Sequence, residues 1–218
     1  MATRSSTRPY NAPRRREQAE ATRIAILTAA SRLFERDGYA GTSVAAIARE
    51  AAVTPRTIYL GFETKAGVLR AVWNRALRGA RDEPPVAEQR WFQEVLEEPD
   101  PKRALRLNAR NSRRFKERST ELLQVVRDAA PLEPEIAALW QRIQTEYHEN
   151  QRAVVESLGP GALRRELTVG RAADIVWTLN HPNTWIQLAV LRGWTPAQYE
   201  RWVGDTSCEQ LLAPPQSG

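Results

Sequence analysis

A single cysteine, Cys208, excludes an internal disulfide framework and any cysteine-cluster metal site. With only two histidines, His148 and His181, a histidine-based metal centre is also poorly supplied, so no metal or other cofactor is expected. No run approaches the roughly 18 uncharged apolar residues of a spanning helix. The N-terminus has no apolar block of the secretory kind, so no membrane partner is expected and the chain reads as cytoplasmic. Period-two alternation is missing, which leaves no candidate strand, and there is no internal repeat. Ser-His-acid and Cys-His constellations, glycine-rich phosphate loops and HExxH-type spacing are all absent. These gaps argue against an enzyme, and carboxylate pairs such as Glu97-Glu98 read as a solvated helix end.

What the chain does have is 42% apolar and 27% charged residues over 218 positions, enough for one large domain or a small domain beside a larger one. Charge is divided unevenly. Residues 1–81 hold 15 Lys and Arg against 6 Asp and Glu, a net of +9, whereas the remainder is slightly acidic at −3. A basic block joined to a near-neutral one suits a polyanion-binding module attached to something else, although a solvated surface shows the same balance. The opening, free of acids until Glu17, faintly resembles a transit peptide. A disordered basic arm over 1–16 is preferred, because Pro9 and Pro13 interrupt an amphipathic helix there.

The helical period dominates elsewhere, and the expected fold class is all-α. A first helix is expected over 18–37, with Ile24, Leu27, Ala30, Ser31 and Phe34 on one stripe and Gly38 as its left-handed stop. Thr42 or Ser43 caps a second, short helix over 44–51. Thr54 and Pro55 start a third that ends near Gly61, and Thr64 caps a fourth that runs to about Arg81. Beyond Pro84 and Pro85 the pattern predicts helices over 86–98, 101–117, 119–129, 134–158, 168–193 and 196–212. Pro182 should split the fifth of these, Thr195 and Gln198 form a capping box, and the tail over 213–218 should fray.

Two short helices joined by a tight turn form a candidate helix-turn-helix over 43–60, and the first helix can cover their inward faces. Arg56, Thr57 and Tyr59 then fall on the outward side of the third helix, within reach of a major groove. Thr42, Ser43, Thr54 and Lys65 stand at helix N-termini, where free N–H groups attract phosphate. Capping alone explains the threonines as well as capping with a phosphate contact does. Arg14, Arg15 and Arg16 are candidates for further phosphate or minor-groove contacts, or are an unstructured solubilising tail.

These residues carry a family resemblance. Ala29-Ala30, Leu33-Phe34, Gly38-Tyr39, Thr42-Ser43-Val44, Ile47-Ala48, Val53, Thr57-Ile58-Tyr59, Phe62 and Lys65 together resemble the N-terminal domain of TetR-family transcriptional regulators. The resemblance covers about the first third of the chain. It departs at Ala52, where the family usually has glycine, and at Gly61, where a bulkier residue commonly precedes the phenylalanine. It implies that Thr42, Thr54, Tyr59 and Lys65 anchor to phosphates while Pro55, Arg56 and Thr57 approach base edges. It also implies a homodimer on a near-palindromic double-stranded DNA operator, controlled by a small-molecule effector.

On that reading 17–63 is the helix-turn-helix domain and 64–212 an effector-binding and dimerisation domain, with 64–81 as the connecting helix. The resemblance assigns dimer contacts to the last two helices, with Trp185, Leu188, Tyr199 and Trp202 as candidates; burial within one subunit explains those aromatics equally well. Polar groups on apolar helix faces suggest a ligand pocket formed by Asn108, Ser112, Trp140, Tyr147, Asn150 and Trp177. For any one of these a satisfied core polar group is the simpler explanation. The rival reading is a helical small-molecule-binding, interaction or enzyme-like protein that never reads DNA.

Overall fold

The computed structural model describes residues 12–78 and 84–214. The chain divides into two compact units, Met1–Val72 and Trp73–Gly218. Among the described residues the structure is helical, with one isolated antiparallel bridge between Leu163 and Leu212. No helix of the described residues is long and apolar enough to cross a membrane.

The N-terminal unit begins with α1 (Ala12–Gly41), broken at Gly38, whose φ of 70° is the left-handed stop expected there. The helix starts earlier than its pattern suggested. Pro13 is its second residue, where a missing N–H leaves no intrahelical bond unmade, so Arg14, Arg15 and Arg16 belong to α1 and not to an unstructured arm. Residues 1–11 of the expected arm lie outside the described residues.

Ser43 caps α2 (Val44–Glu50) by accepting from the Ala46 N–H, and Thr54 caps α3 (Pro55–Phe62) by accepting from the Thr57 N–H. Between them Ala52 adopts φ 54°. Its N–H bonds the Arg49 carbonyl while the Val53 N–H bonds the Ala48 carbonyl, a Schellman ending that normally uses glycine. Ile26, Leu27, Ala30, Leu33 and Phe34 of α1, Val44 and Ile47 of α2, and Ile58 and Phe62 of α3 are buried. The first half of α4 (Lys65–Arg78) adds Ala66, Val68, Leu69 and Val72 to the buried set, and the boundary between the two units falls inside this expected connecting helix. Glu63, with φ 62° and ψ −49°, reverses the chain between α3 and α4, and the Thr64 N–H bonds the Phe62 carbonyl across it.

In the second unit a short 3-10 turn (Val86–Glu88) leads to α5 (Arg90–Leu96), then α6 (Pro101–Ala129) and α7 (Pro134–Ser157). The two helices expected over 101–117 and 119–129 are one. Ser119 and Thr120 turn their hydroxyls onto the Phe115 and Lys116 carbonyls of the preceding turn and so do not start a new helix. The expected segment 168–193 is split, as Pro182 requires, into α8 (Val169–Leu179) and α9 (Pro182–Trp185), which continues as a π-helical stretch, Ile186–Leu191. Finally α10 (Pro196–Leu211) starts with the expected Thr195/Gln198 capping box.

Phe92, Val95, Leu105, Val154, Val155, Ala172, Val176 and Leu211 form the main core, from five helices. Ala109, Trp185, Tyr199 and Val203 form a smaller one. The tail is anchored as far as Ala213, whose N–H donates to the Ala162 carbonyl; 215–218 lie outside the described residues.

Two substitutions test the backbone argument by urea unfolding. Ala52→Gly should raise stability by about 1 kcal/mol, because a Cβ is strained at positive φ. Gly67→Ala should lower it by about 1–3 kcal/mol, because a Cβ there would stand 2.1 Å from the Phe62 carbonyl oxygen. An unchanged midpoint in either would remove the stated cause.

Candidate nucleic-acid interface and ligand cavity

The period that turns Ile58 and Phe62 inward leaves Pro55, Arg56, Tyr59 and Leu60 on the outer face of α3. Tyr59 is 52% and Leu60 77% exposed. Thr57 is half-buried, its Oγ1 2.9 Å from that of Thr54. Reasoning from polar groups misses Leu60, yet the helical period that buries Ile58 carries a residue two positions on to the opposite side.

Ser43 is exposed at the start of α2, and Arg14, Arg15 and Arg16 are exposed on α1. Thr42 is corrected: it is 2% exposed, and its Oγ1 lies within hydrogen-bonding distance of the Leu33 and Gly38 carbonyls, so its hydroxyl is spent inside the domain. Lys65 also points inward. Its Nζ donates to the Tyr39 carbonyl at 3.0 Å and the Thr42 carbonyl at 3.1 Å and stands 4.0 Å from the Tyr39 ring centroid. Lys65 therefore ties the end of α1 to the start of α4, with two of its three donors engaged.

The second unit holds a partly open cavity of about 330 Å³. Trp73 and Leu77 of α4, Trp91 and Phe92 of α5, Phe115 of α6 and Ile143 of α7 supply its apolar walls. Of the expected ligand residues, Asn108, Ser112, Tyr147 and Asn150 do line it. Trp140 and Trp177 do not: Trp177 packs edge-on against His181, 4.9 Å between ring centroids, with its Nε1 buried and unpaired. Asn108 donates to Gln151 at 2.8 Å in a buried pair, and Asn111 donates to the Trp91 carbonyl.

The other polar wall is a directed chain. Tyr147 Oη donates to the Asn180 carbonyl, so its oxygen accepts from Ser112 Oγ at 3.1 Å, and Ser112 in turn accepts from Lys116 Nζ. Lys116 is 2% exposed, and among the described residues no carboxylate lies in ion-pair range of it. Burial without a counter-charge holds its ammonium well below the ordinary lysine value, and burial raises the Tyr147 and Tyr199 hydroxyls. Sequence reasoning passes over Lys116 because lysine is normally solvated, although it follows Asn108 and Ser112 at four-residue steps on one face of α6. Burial, then Lys116 and Arg127, lower the His181 pKa; the His181 Nδ1 accepts from the Asn183 N–H, leaving Nε2 to donate to Gln144. Among the described residues no His, Cys, Asp and Glu cluster could hold a metal ion.

Two of the expected dimer contacts are corrected. Trp185 and Tyr199 are buried within the chain itself, edge to face at 5.0 Å, and Tyr199 Oη donates to the Leu179 carbonyl. Leu188 and Trp202 are half-buried, Trp202 against Trp194. The exposed apolar residues nearby are Val190 and Leu191, which the residue-type argument overlooks.

A basic unit whose capped helix presents a polar and apolar face beyond a tight turn has the geometry of a helix-turn-helix domain. Residues 26–72 match the family model described as bacterial regulatory proteins, tetR family. The fold extends over nearly the whole chain in solved structures. NalD, the secondary repressor of the MexAB-OprM multidrug efflux pump in Pseudomonas aeruginosa, is 21% identical at a TM-score of 0.67, covering 90% of this chain and 98% of its own. The TetR-family regulator PfmR from Thermus thermophilus is 22% identical at 0.60, with 86% and 99% covered. A protein from Saccharomonospora viridis crystallised in complex with choline is 18% identical at 0.68, with 88% and 98% covered. No curated protein matches the chain in sequence.

The pH dependence of stability tests the account of Lys116. Its folded-state pKa lies below the ordinary 10.5, so between the two values the unfolded chain binds a proton that the native state lacks. This group therefore makes stability rise with pH across that window. Lys116→Met should be more stable than wild type at the low end and lose that rise; urea midpoints keeping the wild-type slope would refute the assignment.

Proposed function

We propose that the chain is a ligand-responsive repressor that acts as a homodimer in the cytoplasm on a near-palindromic operator. The observation that carries this reading is the outer face of α3. Arg56 is free to bond a guanine edge, Leu60 offers apolar contact to a thymine methyl, and Tyr59, Ser43 and Thr54 stand where phosphates pass. Pro55 and Thr57 complete the N-terminal turn that enters the groove, and Arg14, Arg15 and Arg16 add backbone attraction. Lys65 acts chiefly by holding this arrangement rigid, with its remaining donor left for phosphate.

Dimerisation would use the last helices through Leu188, Val190, Leu191 and Trp202, which keep apolar surface uncovered in the protomer. The effector would enter the cavity. There α4 supplies Trp73 and Leu77 to the wall, while the same helix carries Lys65. A ligand packed on Trp73 thus touches the helix whose first half is buried in the N-terminal unit. That NalD is a repressor supports the repressing direction.

Selection from random duplex DNA should enrich an inverted repeat with half-sites about 34–36 Å apart, or a multiple of that spacing. Arg56→Ala should relax preference at one base position at a cost of about 1–3 kcal/mol. A monomer that enriches no sequence would reject the reading. Any effector should lower operator affinity by about 1–3 kcal/mol, and the operator should weaken the effector equally.

A further inference from the structure

The cavity combines aromatic walls with one buried amine, that of Lys116. Among the described residues Lys116 is the sole lysine, arginine or histidine that lines it. As an ammonium it has three donors, of which Ser112 accepts one. Beneath it the Tyr199 ring, 5.5 Å away, offers a π face but no charge. Arg113, three positions earlier on the same helix, pairs with Glu117 and Glu200. The acidic lining residues, Glu146 and Glu149, are exposed, so water screens them from the buried amine.

A charge buried in this way is costly until an opposite charge reaches it. We infer that the cavity takes a small aromatic molecule bearing one carboxylate, with the aromatic body against Trp73, Phe115 and Trp91 and the carboxylate against Lys116. The inference rests on the reading of this cavity as the effector site. Trp73 and Phe115 meet edge to face at 6.1 Å, leaving flat ring surface for an aromatic guest, and about 330 Å³ suits a body of two fused rings. The carboxylate engages the donors that Ser112 leaves unused, in charge-assisted bonds. Asn108 and Gln151 are already joined by one hydrogen bond and carry no charge to compete with Lys116 for the carboxylate. A quaternary ammonium, such as the choline bound by the Saccharomonospora viridis protein, would leave Lys116 unpaired and add a like charge beside it.

Calorimetry on the full chain without DNA tests this with three probes: naphthalene-1-acetate, its amide naphthalene-1-acetamide, and choline. Wild type should bind the acid at least about ten-fold more tightly than the amide, and choline more weakly than either. That preference is read without any variant. In Lys116→Met, with retained helical circular dichroism as the check on folding, the ratio of acid to amide affinity should fall to about one. Equal binding of acid and amide by wild type overturns the inference. So does an unchanged ratio in the variant, tighter binding of choline, or no binding of the acid at millimolar concentration. None of these outcomes depends on an operator, so the ratio stands even if the DNA selection fails, and equal binding of acid and amide leaves the DNA reading intact.

Discussion

The DNA-binding unit depends on one cation placed where helices end. The carbonyls of Tyr39 and Thr42 close α1 and precede α2, and both accept from Lys65 at the start of α4. Hydrogen bonds from a charged donor contribute about 1.5–3 kcal/mol each, and the Tyr39 ring beneath the ammonium adds to this. The bonds link residues 23 and 26 positions apart, so they fix how α4 leaves the helix-turn-helix. With that exit fixed, Gly67 can lie against the Phe62 carbonyl and Glu63 is held in a left-handed turn that few residues adopt willingly. The face of α3 is presented by a frame that resists deformation.

The second unit handles a lysine in the opposite way. Lys65 has accepting carbonyls and remains only half-buried, whereas Lys116 is enclosed with a serine and an aromatic ring and, among the described residues, no counter-charge. A core built for stability alone would place a methionine or leucine there. The chain from Lys116 through Ser112 and Tyr147 to the Asn180 carbonyl runs from α6 across α7 to the end of α8, so the amine is wired to three helices. Polar networks of this kind specify one arrangement while satisfied and become sensitive when a charge is added or removed.

Much of the fold is legible in the sequence because local chemistry suffices for it. Ser43 and Thr54 cap the helices they are expected to cap, Gly38 breaks α1, Pro182 divides α8 from α9, and Thr195 with Gln198 forms its box. Each depends on residues a few positions apart. The departures share a different origin. Ser119 resembles a helix start, but its hydroxyl finds a carbonyl one turn back; Thr42 resembles a surface cap, but the chain folds over it. Trp185 and Tyr199 suit a dimer face by residue type, and aromatics suit interiors equally well.

The amino-acid sequence by itself determined the all-α class, the caps at Ser43, Thr54 and Thr195, the turn between α2 and α3 and the outward position of Arg56 and Tyr59, because periodicity and capping act within one or two turns. Only the tertiary structure decided that Lys65 points inward, that Lys116 is enclosed in a cavity, and that Trp140 and Trp177 stay outside it. The reason is physical: a side chain's burial and partners are set by segments distant in the chain, and a lysine carries no local signal of whether water, a carbonyl or an aromatic ring will be waiting at its end.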